Sequence, residues 1–214
     1  MPAIDNGSTA AQIFVGRTSG HVWVKGCGKS DKTFVKVLYD CIRKFGAMDL
    51  LISDCAKAQI SNKVQDLLRV LFIDDRQSEP YNKNQNFAER VWQDVQRRVN
   101  NLLNHSGAPD ECWLLALQYI AFSTNHVAIE RLGWRCPIEW LLGSTPDISV
   151  LLRFIFYEPV YYAINDDEPD SGEKLGRFTG IAEGVGHRMT FLILTNERKV
   201  IARSRVRTAN SNKR

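Results

Sequence analysis

Two carboxylates, Asp54 and Glu89, have the chemistry and the setting to share a divalent metal ion. Asp54 follows the apolar run Leu50–Ser53, which is typical of a short buried strand, and Glu89 stands near the start of an amphipathic stretch, which is typical of a helix. A strand end and a helix start can meet at one edge of a sheet. Mg²⁺ prefers carboxylate oxygens. A metal held there would activate the attacking oxygen and stabilise the leaving oxygen of a phosphodiester transfer.

The basic charge of the chain is concentrated towards its C-terminus. The formal net charge is +4 over 214 residues. Lysines and arginines outnumber the acids only from residue 173 onwards, whereas acids outnumber bases in the part before it. A basic terminal segment of this kind favours contact with a polyanion such as nucleic acid.

The cysteines and the apolar segments argue against a secreted or membrane protein. The five cysteines are dispersed, which disfavours both a disulfide framework and a Cys-x-x-Cys zinc site. Residues 1–8 lack the apolar segment of a signal peptide. No later apolar stretch is long enough to span a bilayer. We therefore expect reduced thiols in an intracellular protein.

Hydrophobic periodicity predicts an α/β region over residues 1–148. Ser30 and Gly46 are expected to begin and end its first helix, and Gly143–Asp147 interrupts the pattern. The expected strands are 10–16 and 21–26, paired as a hairpin, then 50–53 and 72–75. The expected helices are 31–45, 62–71, 87–104, 110–127 and 137–142.

After that interruption, the pattern predicts a small all-β barrel over residues 149–209. Residues 165–172 carry four acids, a proline and a glycine, and are expected to form a solvated acidic loop. Residues 210–214 are expected to be a tail. The expected strands are 156–162, 178–183, 190–195 and 200–205.

Five segments, in this order, resemble the integrase of copia-type long-terminal-repeat retrotransposons, over about residues 10 to 209. The resemblance is carried by Leu51–Asp54, by Ser78–Tyr81 together with Asn84–Arg90, by Gly133–Glu139, by Gly143–Ile148, and by residues 174–207. It implies a ribonuclease-H-like core, with a mixed sheet flanked by helices, followed by an SH3-like barrel. It also implies DNA integration by an Asp-Asp-Glu triad that binds two Mg²⁺ (or Mn²⁺) ions, with Asp54 and Glu89 as catalytic metal ligands. The implied partners are DNA and further copies of the chain, in the nucleus and away from membranes.

The chain departs from this family ahead of its first hairpin. The family's first catalytic Asp lies on a strand that precedes the hairpin, whereas the one acid at that place here, Asp5, is too close to Gln12 for the family's longer loop. We therefore expect a truncated core without its first strand, and an unpaired edge beside Leu50–Ser53. Metal binding is expected to be weak or absent, and the chain inactive by itself.

Basic and polar residues around the two carboxylates are candidates for nucleic-acid contact, since the family's DNA borders this helix. Another set alternates along a predicted strand, which would place three arginines on one face. For each set, the alternative interpretation is an ordinary solvated surface. The first set is Lys57, Lys83, Arg90, Gln93 and Arg97, and the second is Arg203, Arg205 and Arg207.

Three functions stay open on the sequence alone. The chain is an integrase fragment with an incomplete triad, or a non-catalytic module that binds nucleic acid through its basic barrel, or a decayed element fragment without selected activity. Salt-dependent binding to DNA separates the second function from the third, because phosphate contacts release counterions.

Overall fold

The computed structural model of the protein describes residues 1–4, 6–28, 30–53, 61–77, 87–167, 172–187 and 189–210. The chain begins with the predicted hairpin of two antiparallel strands, β1 (Ala10–Val15) and β2 (Val22–Cys27). Their register runs from Ala10 opposite Cys27 to Val15 opposite Val22. The amide of Gly20 donates to the carbonyl of Gly16 at 2.7 Å and closes the turn.

Two helices and two parallel strands follow: α1 (Asp31–Phe45), β3 (Leu50–Ser53), α2 (Asn62–Val70) and β4 (Asp74–Gln77). The bounds of α1 and β3 are those expected from the sequence. The strand expected at 72–75 was placed two residues too early, because Ile73 belongs to the turn that closes after α2 and β4 begins at Asp74. The amide of Ile73 donates to the carbonyl of Leu68 at 2.9 Å, and its side chain is buried with that helix.

Three further helices complete the first half: α3 (Phe87–Ser106), α4 (Trp113–Asn125) and α5 (Pro137–Leu142). Short 3-10 turns cover Asp110–Cys112, Glu130–Leu132 and Ser149–Leu152. Helix α4 is apolar on most of its circumference because it packs on α3, β2 and β6 together. No helix in the described part of the chain is long and apolar enough to cross a membrane.

The strands of the first half form two separate pairs. In the described residues β1 pairs with β2, and β3 pairs with β4 in parallel. Ile13 and Val15 of β1 pack on the cluster built by α3 and α4, whereas Phe14 packs on the cluster of α1, α2 and β3. Every residue of β1 is nevertheless partly exposed. Among the described residues, β2 is the strand partner of β1.

The second half is one antiparallel sheet of five strands, ordered β8-β7-β6-β5-β9. Each strand places at least one side chain on a single apolar cluster that includes Val160, Phe178, Phe191, Ile201 and Val206. The two edge strands, β8 and β9, are joined by only two residues, so the sheet must curl to bring its edges together. The strands are β5 (Pro159–Ala163), β6 (Glu173–Ile181), β7 (Phe191–Thr195), β8 (Val200–Arg203) and β9 (Val206–Thr208).

The curled sheet packs directly against α4. The ring of Tyr119 on α4 lies 5.3 Å from the ring of Phe156 and 6.1 Å from that of Phe178, between centroids. Two ion pairs flank this contact, Arg198 with Glu111 and Lys44 with Glu183. Aromatic packing and charge therefore join the sheet to the helical half.

Candidate metal and nucleic-acid site

The parallel strands β3 and β4 end side by side. Ser53 lies opposite Gln77 in their register, and Asp54 is the residue that follows β3. Active-site groups commonly gather at the carboxyl ends of parallel strands. The carboxyl ends of β3 and β4 form such an edge. Asp54, Lys57 and Lys83 themselves lie outside the described residues.

Glu89 occupies the first turn of α3, as the sequence predicted. Its side chain is partly exposed, and a negative charge there interacts favourably with the helix dipole. Arg90, Gln93 and Arg97 are exposed on the same helix. Successive residues of a helix are separated by about 100° around its axis. Glu89 and Gln93 therefore lie on one side of α3, and Arg90 and Arg97 lie together on an adjacent side.

The donor chemistry of the two candidate acids, Asp54 and Glu89, suits a hard divalent cation. Carboxylate oxygens such as those of Asp54 and Glu89 fit Mg²⁺ or Mn²⁺, so these two residues would hold the ion. Within the described residues, no group of three or more His, Cys, Asp or Glu side chains is arranged for a metal. Asp5, the acid ahead of the hairpin, is also outside the described part.

The three arginines near the C-terminus do not share one continuous strand, which corrects the sequence prediction. The expected strand 200–205 is two strands, β8 and β9, with Ser204 and Arg205 between them. The bend is held by Asp166, whose carboxylate accepts the amides of Ser204 at 2.9 Å and Arg205 at 3.2 Å. Partial burial raises the pKa of Asp166, but these hydrogen bonds and the charge of Arg203 outweigh burial, and the pKa lies below its usual value.

Two of these arginines are engaged within the sheet. Arg203 donates to three backbone carbonyls: Ala163 at 3.0 Å, Ala202 at 2.8 Å and Ile164 at 2.9 Å. Arg207 lies over the ring of Tyr161, 4.4 Å from its centroid, and donates to both carboxylate oxygens of Glu173. Their side chains have structural roles whether or not they also contact phosphate. Arg205 is exposed.

A surface groove that the sequence did not reveal lies beside α3, and we call it the hairpin–helix groove. It has a volume of about 370 Å³. Its walls come from the hairpin turn, the first two turns of α3, the end of α4 and the 129–131 segment. Because these segments are far apart in the chain, no local pattern could have predicted it. It is lined by Gly20, Val22, Phe87, Arg90, Val91, Asp94, Thr124, Ile129 and Arg131.

A buried polar contact fixes the hairpin on α4 next to this groove. The side-chain oxygen of Asn125 accepts the amide of Val22 at 2.7 Å, and its amide nitrogen donates to the carbonyl of Val22 at 2.7 Å. The same nitrogen lies 3.2 Å from Nε2 of His21. Burial lowers the pKa of His21 to about 4, and Lys44 and His126 add to this effect against the opposing charge of Glu183.

The cysteines of the described part are thiols. Cys27, Cys41, Cys112 and Cys136 form no disulfide among the described residues, and the last three are buried. Burial raises the pKa of Cys41 to about 11, so this thiol is protonated and unreactive at neutral pH.

Comparison with known proteins gives a similarity of fold. No protein-family model matches the chain, and no curated protein matches its sequence. The solved catalytic core domain of BIV integrase is similar, with a TM-score of 0.51 and 22% identity, over 65% of this chain and 88% of that chain. A chain of the simian T-cell lymphotropic virus intasome in complex with the PP2A regulatory subunit B56 gamma gives a TM-score of 0.54 and 15% identity, over 95% of this chain and 73% of that chain. The mixed α/β fold of this protein is therefore similar to that of retroviral integrases.

Proposed function

We propose that the chain is an integrase of the copia type, a nucleic-acid-binding protein related to enzymes that transfer DNA strands. The observation that carries this proposal is the similarity of fold to integrases, which extends over 95% of the chain in one comparison. Two further features support it. β3 ends immediately before Asp54 and Glu89 lies in the first turn of α3, and a curled five-stranded sheet follows the α/β half.

In this proposal Asp54 and Glu89 are two of the three acids of a ribonuclease-H-like metal site. A bound Mg²⁺ or Mn²⁺ would supply Lewis-acid activation of the attacking and leaving oxygens. The residues of the chain bind the ion and orient the DNA. The separate strand pairs β1–β2 and β3–β4 are consistent with a place for a further strand between them, which in the resembled family carries the first acid. With two acids, the 214 residues alone are proposed to be catalytically inactive.

The partners proposed are DNA and other copies of the chain, in the nucleus. The basic region after residue 173 agrees with a polyanionic partner.

A strand-transfer assay tests the catalytic part of the proposal. The chain is incubated with Mg²⁺ or Mn²⁺ and a fluorescent oligonucleotide that ends in a terminal-repeat sequence. We expect no processed or joined product above the level of Asp54→Asn, because two acids do not hold the metal pair. Product that depends on Asp54 would refute inactivity while supporting the metal site.

A second candidate is a non-catalytic module that holds nucleic acid, and the exposed position of Arg90, Arg97 and Arg205 favours it. Binding of duplex DNA, measured by filter retention at about 50 and 200 mM salt, should fall by orders of magnitude if about six or more phosphates are contacted. Affinity without salt dependence would exclude an electrostatic site. If the chain binds no DNA at either salt concentration, the interpretation as a decayed fragment without selected activity remains.

A further inference from the structure

The hairpin–helix groove combines positive charge with an apolar floor. We call the apolar lining side chains Val91 and Ile129 the floor of the groove, and the lining arginines Arg90 and Arg131 its rim. The groove is shallow and open to solvent, so it suits a flat group that lies on its surface and does not enclose a ligand. A ligand that fits must therefore carry both an anionic group and a flat or apolar part.

Arg131 is held in place before any ligand arrives. Its Nη1 donates to the carbonyl of Arg17 at 3.2 Å, and its guanidinium carbon lies 5.5 Å from the ring centroid of Phe87. A planar guanidinium fixed on an aromatic ring retains outward N–H groups for a phosphate. Little side-chain entropy is lost when such a residue binds.

The other charges of the groove leave a net positive site. Arg90 is exposed and, among the described residues, has neither a hydrogen bond nor an ion pair. The one acid of the lining, Asp94, is paired with Arg98 at 2.7 Å, so its charge is compensated. The lining carries two arginines and one aspartate, so its net charge is positive.

Gly20 permits this arrangement. Its φ is +70°, and a Cβ built on it would lie 2.3 Å from Nη2 of Arg131. Any side chain at this position would displace the guanidinium from the rim. The turn of the hairpin and the position of Arg131 therefore depend on the same glycine.

We propose that the hairpin–helix groove binds a nucleotide unit of single-stranded nucleic acid, with the phosphate at Arg90 and Arg131 and the base on the apolar floor beside Phe87. The positive charge of the arginines favours a phosphate, and the flat face of a nucleotide base can lie on the apolar floor. The proposal rests on the function proposed above. It adds a site on the flank of α3 that faces away from Glu89.

Fluorescence anisotropy of a labelled single-stranded oligonucleotide with the full chain at low salt tests the groove. Arg131→Ala should weaken binding by about tenfold, since it removes both a phosphate contact and the cover of Phe87. Arg43→Ala removes one exposed arginine from α1 and should change the affinity by less than about twofold. Equal losses in the two variants would overturn the proposal.

A pair of glycine variants gives a second test that leaves every charge in place. Gly20→Ala should weaken binding because it displaces Arg131. Gly107→Ala carries the same backbone strain, at a φ of +66°, but a Cβ there meets nothing within 4 Å, so its affinity should match that of the native chain. Thermal unfolding of both variants confirms that they are folded at the temperature of the measurement. Equal affinity of the two variants contradicts the groove.

The remaining outcomes separate the groove from the proposed function. Adenosine monophosphate is tested as a competitor of the labelled oligonucleotide. If it competes as well per nucleotide as an unlabelled oligonucleotide does, the ligand is a free nucleotide and the proposal is overturned. If the native chain binds the strand and the groove variants bind it equally well, the groove proposal is wrong. The integrase proposal is unaffected by that result, because its own test depends on Asp54. A chain that binds no single strand at low salt also overturns the groove.

Discussion

At the scale of single residues, charge alone is a poor guide to which arginines are available to a ligand. Arg203 and Arg207 looked equivalent to Arg205 in the sequence, yet the first two bind groups of their own sheet. No sequence pattern singled out Arg131, yet its guanidinium group lies over the ring of Phe87 at the hairpin–helix groove. Only the fold can decide between such residues, because their partners come from distant parts of the chain.

Arg203 provides a prediction at this scale. Arg203→Ala should destabilise the five-stranded sheet by about 1–3 kcal/mol, because it leaves the carbonyls of Ala163 and Ile164 without their charged donor. The free energy of unfolding from urea titration measures the change.

Arg207→Ala is the matched control for this prediction. It removes an arginine of the same surface whose partner Glu173 is exposed, and an exposed ion pair contributes little to stability. A destabilisation by Arg207→Ala as large as that by Arg203→Ala would contradict the structural role assigned to Arg203.

At the scale of elements, the sequence predicted what local periodicity determines. The bounds of α1 and β3 and the pairing of the first hairpin were predicted correctly, because α1 shows a helical apolar period and β3 is a short apolar run. The bend between β8 and β9 was missed, because the alternation from Arg203 to Arg207 continues through it without a turn residue. That bend is imposed by Asp166, which lies in a different loop.

At the candidate site, the comparison between sequence and structure concerns Glu89 and the surface beside α3. Glu89 was placed correctly in the first turn of α3, because it follows from the helix pattern alone. The hairpin–helix groove was not predicted, since it is assembled from four segments whose proximity depends on tertiary packing. The order of elements is thus readable in the sequence, whereas the surfaces between elements are not.

At the scale of the whole molecule, His21 lies where three parts of the fold meet. Asn125 of α4 contacts His21 and holds the hairpin there. The ring of His21 lies 4.9 Å from the ring of Phe45 on α1. The nearby pair of Lys44 and Glu183 joins α1 to the loop between β6 and β7. The orientation of Asn125 is set by its two contacts with Val22, so its N–H group points at Nε2 of His21. That nitrogen must then be an unprotonated acceptor.

Protonation of His21 should therefore weaken the whole fold. Its pKa is lowered from 6.5 to about 4 in the folded chain, so the unfolded chain binds this proton first. The contribution of His21 to stability is fully present above about pH 6.5 and is lost as the pH falls towards about 4, by about 3 kcal/mol at most. Urea midpoints at pH 7 and pH 4.5 measure it. His21→Gln should flatten the decline between these pH values, whereas His105→Gln, at an exposed position on α3, should not. An unchanged decline in His21→Gln would assign the acid sensitivity to other groups and leave the contact with Asn125 without a role in it.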